Sequence, residues 1–142
     1  MKLAIFLIVG MVFLSGCVSQ VGKQPTTEQI SQPVNATLAK CFSISEFHYD
    51  AMGNDNKNLT DEYVTVKNIC DFEIDFTDWM IEDVANHTYT FPTFILKPQA
   101  TFTLYTGDGI NTETKLYWGR TSGAVWNNDG DTLSLRDSEG NL

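Results

Sequence analysis

The chain has 142 residues, 42% of them hydrophobic and 12% aromatic, with eighteen acidic against nine basic side chains and a formal charge of −9. That length allows one domain and a tail, and the apolar share is enough for a core. So acidic a surface repels phosphate backbones and anionic headgroups, which argues against nucleic-acid binding and requires any membrane attachment to be covalent.

At the N-terminus, Lys2 precedes an apolar run from Leu3 to Leu14. The run fits the ~7–15 residues of a signal h-region and falls short of the ~20 needed to span a bilayer. It ends in Leu14-Ser15-Gly16-Cys17, which resembles the lipobox of prokaryotic lipoprotein signals. The resemblance implies removal of residues 1–16, a diacylglycerol on Cys17, and a place on the extracytoplasmic side of the cell membrane. Two acyl chains anchor stably where one is marginal. An ordinary secretory signal with a cysteine beside its cleavage site is the competing reading. Residues 17–40 carry Pro25, Pro33 and scattered Gln, Ser and Thr with few apolar residues, the composition of a disordered tether. Sequons begin at Asn35, Asn58 and Asn86 and are candidate glycosylation sites in an exported chain.

From Cys41 onward the pattern changes to period two. Phe42 and Ile44 alternate with Ser43 and Ser45 in a first strand ending near Phe47-His48-Tyr49. A polar loop, Asp50 to Asp61, leads to Glu62–Asn68, where Val64 and Val66 point inward against Tyr63, Thr65 and Lys67. Thr77-Asp78 turns the chain into Trp79-Met80-Ile81. His87, Tyr89 and Phe91 share one parity up to Pro92. Phe94 and Leu96, then Phe102 and Leu104, mark further strands on either side of Lys97-Pro98-Gln99. Leu116–Trp118 is a short strand, and the Asn127-Asn128-Asp129-Gly130 turn feeds a last one in which Leu133 and Leu135 point the same way. No useful stretch has helical periodicity. Turn signals at regular spacing with period-two patterning predict an all-β, immunoglobulin-like sandwich over 41–142, close to the ~100 residues typical of that architecture.

Several blocks carry a resemblance. Asp61-Glu62-Tyr63-Val64 with Lys67-Asn68, Asp78-Trp79, and His87-Thr88-Tyr89-Thr90-Phe91-Pro92 resemble the lamin-tail domain. Tyr105-Thr106-Gly107, Leu116-Tyr117-Trp118-Gly119 and Val125 to Asp131 resemble its exported prokaryotic branch. The resemblance implies an immunoglobulin-like sandwich, often attached to secreted proteins and surface hydrolases, that acts in binding or tethering and carries no catalytic residues. Such domains usually continue past the Asp137–Gly140 turn into a closing strand. Here the sequence stops at Leu142, so that strand is expected to be very short or missing, with an exposed sheet edge.

The chemistry-bearing residues are sparse. His48 and His87 are the only histidines, and the parity of His87 predicts a partly buried, hydrogen-bonded side chain. Trp79 and Trp126 are expected in the core. Tyr117 and Trp118 are neighbours on a strand and must face opposite ways, so one of them is a candidate binding residue. No nucleophile stands in a G-x-S-x-G or cysteine–histidine setting, which leaves a small envelope hydrolase as the weakest class. Asp50, Asp55, Asp61, Asp129 and Asp131 are candidate calcium ligands, because Asp/Asn-rich turns supply oxygen donors. Neither loop has EF-hand spacing, and the same residues serve equally as turn formers. No cofactor is expected.

With Cys17 assigned to the lipid, Cys41 and Cys70 remain as an even pair in an exported chain, and antiparallel neighbours would bring their strand ends together. Parity opposes this, since Cys70 follows Val64 and Val66 inward while Cys41 lies opposite Phe42. A bulge, or an early strand end near Ile69, would remove the conflict. The resulting expectation is a non-catalytic, lipid-anchored envelope protein that binds a protein or polysaccharide partner. A calcium-dependent or carbohydrate-binding module is the first rival.

Overall fold

A computed structural model describes residues 40–142; the signal, Cys17, Asn35 and the tether up to Ala39 lie outside the described residues. The described part is all-β. Its strands are β1 (Phe42–His48), β2 (Tyr63–Asn68), β3 (Ile74–Asp75), β4 (Met80–Glu82), β5 (Thr88–Thr90), β6 (Ile95–Leu96), β7 (Thr101–Tyr105), β8 (Lys115–Tyr117) and β9 (Ser134–Arg136). Two 3₁₀ turns, Asp55–Lys57 and Leu59–Asp61, occupy the polar loop between β1 and β2.

The strands form a four-stranded sheet in the order β1-β2-β7-β8, a three-stranded sheet β5-β4-β9 and a small β3-β6 pair. All pairings are antiparallel except β7 with β8. The inner faces meet in one core: Val64, Val66, Phe102, Leu104 and Leu116 from the larger sheet, and Ile81, Tyr89 and Phe91 from the smaller one. Ile74, Phe76, Phe94 and Leu96 fill the same core from the β3-β6 side. This is the immunoglobulin-like sandwich expected from the period-two pattern. Trp79 and Trp126 are buried in it.

β2 follows its predicted alternation without exception, odd positions partly exposed and even positions buried. β1 does not. Its register slips between Ile44 and Glu46, leaving Ser45 as the extra residue of a bulge. The apolar spacing of β1 changes from two, Phe42 to Ile44, to three, Ile44 to Phe47, and only a bulge keeps all three on the inner side. Ile44 is still 42% exposed, because β1 is an edge strand.

Cys41 and Cys70 are joined in a disulfide, with their Cα atoms 5.0 Å apart. Asn68 resolves the parity conflict. β2 ends there, and the fully buried amide donates to Phe72 O at 2.7 Å and Lys97 O at 3.1 Å. Its Oδ1 accepts the Cys70 N–H at 2.9 Å. Asn68 thus bends the chain out of the strand so that Cys70 meets Cys41, whose carbonyl accepts the Ile69 N–H at 2.7 Å. An early strand end, not a bulge in β2, allows the bridge.

Candidate functional site

The outer face of the four-stranded sheet carries a row of aromatic rings. His48 pairs with Tyr63, Tyr63 with Tyr105, and Tyr105 with Tyr117, so one side chain from each strand lies on a single line across the sheet. Ring centroids are 5.1, 5.7 and 5.2 Å apart, with interplanar angles of 26°, 55° and 22°. All four residues are partly exposed. The Ser45 bulge makes the row possible: without it, His48 would share the parity of Phe42 and face the core.

Near-parallel rings at 5.1–5.2 Å overlap in part, since side by side in one plane they would collide. Within the His48–Tyr63 and Tyr105–Tyr117 pairs the facing ring surfaces are therefore covered, the two pairs meet at a 55° tilt, and hydroxyls and ring edges remain open. At the Tyr117 end, a side chain on Gly109 would collide with the ring, so the Gly109 backbone closes the stack there. The strand itself is held by Asn111 Oδ1, which accepts the Tyr117 N–H at 2.9 Å, and by Thr112 Oγ1, which accepts the Lys115 N–H at 3.0 Å. At the other end, His48 Nε2 lies 3.9 Å from Asp61 Oδ2, and His48 lines a shallow concavity of about 300 Å³ with Phe47, Tyr49, Asp50 and Asn128.

Polar groups flank the row. Tyr63 donates its hydroxyl to Glu46 Oε1 at 2.8 Å. That bond to a carboxylate, with some loss of solvent, raises the Tyr63 phenol above its ordinary value. The next row runs Glu46, Thr65, Thr103, Lys115, with the two threonine hydroxyls 3.0 Å apart and opposite charges at its ends.

Of the candidate binding residues, Tyr117 belongs to the row. Trp118 turns the other way and packs on Tyr89 and Trp126, at centroid separations of 5.6 and 5.9 Å. Period-two parity separates the two as expected, and Tyr117 is the one on the open face. Tyr63 and Tyr105 were absent from the sequence-based candidates. Their outward parity was readable, but the register that aligns them was not.

The acidic loop residues mostly serve the backbone. Asp61 Oδ2 accepts the Met52 N–H at 2.8 Å and the Asn58 amide at 3.3 Å. Asp131 accepts from the N–H groups of Asn127 at 3.0 Å and Thr132 at 2.6 Å. Asp50 and Asp129 are exposed, and Asp55 Oδ2 accepts the Asn128 amide at 2.7 Å. Among the described residues, no group of three or more His, Cys, Asp and Glu side chains is arranged to hold a metal.

His87 and Asp83 form a clasp in the β4–β5 hairpin. Nδ1 lies 2.7 Å from the buried Asp83 Oδ2, and Asp83 Oδ1 accepts the N–H groups of Ala85 and His87. Asn86 sits at the tip, exposed and at φ 66°. Asn58 is instead built inward, its amide donating to Met52 O and Asp61. The two described sequons are therefore unequal in access.

Glu62, which the sequence places at the end of the acidic Asp50–Asp61 loop, is not a loop residue in the fold. Glu62 is fully buried, on the parity of Val64 and Val66, and its carbonyl accepts the Thr106 N–H at 3.0 Å. Burial pushes its carboxyl up, offset in part by the Val125 N–H and by Thr106, while the nearby Asp55 charge adds to the rise.

A family model described as the Lamin Tail Domain matches residues 39–142, the whole of the described sandwich. Comparison with curated proteins gives no match. The family is immunoglobulin-like and non-enzymatic. By its strand pattern, its sandwich and this match over most of its length, the chain belongs to the lamin tail domain family.

Proposed function

We propose that this domain is a non-catalytic binding module, held on the extracytoplasmic side of the cell membrane by a lipid on Cys17, and that it binds a protein partner across the aromatic row. The observation that carries this reading is the row itself. Four aromatic side chains in register on a solvent-facing sheet are not required by core packing, and Tyr is enriched at protein interfaces because it offers large area at small entropic cost. A polysaccharide partner fits less well, because sugar stacking uses open ring faces and here the facing surfaces within two pairs of the row are taken. The lipobox-like Leu14-Ser15-Gly16-Cys17 supports the anchor.

Photo-crosslinking in native membranes tests the reading. With a crosslinker at position 103, beside the row, the wild-type face should yield a discrete protein adduct that Tyr105→Ser and Tyr63→Ser remove while the domain stays folded. An unchanged adduct in both variants would refute the row as the binding face. Separately, Cys17→Ser should move the chain out of the lipid-modified membrane fraction; a wild-type mature chain without lipid by mass spectrometry would refute the anchor.

A further inference from the structure

Beneath the aromatic row, at the end of the sheet where β2 begins, three buried oxygens have no hydrogen-bond partner among the described residues: Glu62 Oε1, Thr106 Oγ1 and Asp55 Oδ1. They come from three segments. Glu62 and Thr106 extend the β2–β7 register by one step, bonded N–H to carbonyl, and both side chains are buried, at 0% and 1% exposure. Asp55 opens the first 3₁₀ turn.

The loop that covers them is fastened at three points. Ala124 N–H donates to Asn56 Oδ1 at 3.2 Å, Val125 N–H to Glu62 Oε2 at 3.2 Å, and Asn128 Nδ2 to Asp55 Oδ2 at 2.7 Å. Each carboxylate thus spends one oxygen on the 124–128 loop and leaves the other unpartnered. Thr60 also reaches this corner, where Gly107 N–H donates to Leu59 O at 3.0 Å and any side chain on Gly107 would strike Thr60.

We infer that Glu62 Oε1, Asp55 Oδ1 and Thr106 Oγ1 form an interior site for a divalent cation of the calcium type. The donors are all hard oxygens, two of them carboxylate, which is the chemistry calcium takes. A carboxylate oxygen buried without a partner is costly, and a second carboxylate near it adds repulsion that a cation between them relieves. The Thr106 hydroxyl turned toward Glu62 would serve those two oxygens and leave Asp55 Oδ1 without a partner, whereas a cation between the two carboxylates would serve all three. Arg120 exerts the smallest of the influences on Glu62, and its Nε is taken by Gly123 O at 2.7 Å. With two carboxylates and a hydroxyl from the protein, water and backbone carbonyls complete the shell. That places the affinity in the ~10⁻⁴–10⁻³ M range of extracellular calcium modules. The cation would pin the 124–128 loop to the 3₁₀ turns and so set the wall beside His48. The proposal stands independently of what the aromatic row binds.

The test uses the full-length chain in detergent, stripped with EDTA and melted with and without calcium at neutral pH. Calcium at 5 mM is expected to raise Tm by about 5 °C, magnesium by less, because it demands a tighter octahedral shell. Glu62→Gln and Asp55→Asn should each abolish the calcium shift, and terbium emission sensitised by Trp126 should appear in the wild type and be lost in both. Should Glu62→Gln fail to fold, Thr106→Val, which deletes only the hydroxyl, must shrink the calcium shift. Equal Tm in calcium and EDTA overturns the proposal, as does a calcium shift that survives these substitutions. A Tm that rises on acidification to pH 5 but ignores calcium assigns the oxygens to a shared proton and overturns it too.

Discussion

Inside the sandwich most ring contacts are steep: Phe76 meets Phe42, Trp79 and Phe102 at interplanar angles of 63°, 61° and 73°, and Phe94 meets Phe102 at 77°, with Phe91 on Phe94 at 25° as the stacked exception. On the outer face of the four-stranded sheet, His48 stacks on Tyr63 at 26° and Tyr105 on Tyr117 at 22°, with a 55° tilt between the two pairs. Both arrangements satisfy the aromatic quadrupole, but edge-to-face contacts propagate in every direction and fill volume, whereas stacking runs along one line. The interior mesh has no surface left over. The outer row keeps a continuous strip of edges and hydroxyls in solvent. Similar side chains therefore do different work, and substitution should cost very different amounts in the two places.

The largest effect is expected at the centre of the mesh. Phe76 is 0% exposed, and Phe76→Ala should cost ~3–5 kcal/mol in urea denaturation. A loss below about 1.5 kcal/mol would mean the mesh is no more essential than the row. Close behind comes the disulfide: Cys41→Ser with Cys70→Ser opens a bridge spanning 29 positions and should cost roughly 3–4 kcal/mol in the chain-entropy model. Two reactive thiols in unreduced, denatured wild-type protein would contradict it.

Trp118→Ala sharpens the boundary between the two assemblies, since its ring packs on Trp126 and Tyr89 while only partly buried. A loss of about 2 kcal/mol is expected, clearly less than for Trp126→Ala. In the row, Tyr105→Ala removes two ring contacts at a half-open position and should cost ~1–2 kcal/mol by the same titration. A cost equal to that of Phe76→Ala would show that the row is a second core.

The smallest stability change is expected at Tyr89, whose ring is buried but whose hydroxyl has no partner among the described residues. Tyr89→Phe should be neutral or stabilising by up to ~1 kcal/mol near pH 7. Burial also pushes the Tyr89 phenol up to about 12 from 10.0. The neutral ring's contribution is therefore complete below pH 10 and lost as pH rises through about 12, because the unfolded chain ionises first. Denaturation at pH 9 and 11.5 should show a steeper fall for wild type than for Tyr89→Phe; parallel falls would count against a buried, neutral Tyr89.

Sequence made some of this legible and not the rest, for identifiable reasons. β2 could be read residue by residue because alternation over six residues has one solution. The change of spacing from Ile44 to Phe47 signalled the Ser45 bulge, though the expectation put Phe42 and Ile44 in plain alternation. β3, two residues long in a mixed stretch, is too short for periodicity to register, whereas β6 was marked by Phe94 and Leu96. The parallel β7–β8 pairing has no local signature, so the alignment of Tyr117 with Tyr105 was out of reach. Glu62, by contrast, was readable from its parity with Val64 and Val66, which places an acidic residue on the core face.

The pairing of β4 with β9 bears on how the domain is assembled in time. Glu82 and Arg136, joined at 2.8 Å, are 54 positions apart. The β4–β5 hairpin can close within microseconds of its synthesis, but β4 must keep its other edge open until more than fifty further residues have emerged. Pairings this distant in sequence slow folding, and an unpaired edge during that interval is exposed to neighbouring chains. The larger sheet, whose last strand is β8, can form earlier, with the 41–70 bridge already closing β1 onto β2. The order of events is then one sheet first and the second docked onto it, with β9 the last of the described strands to pair.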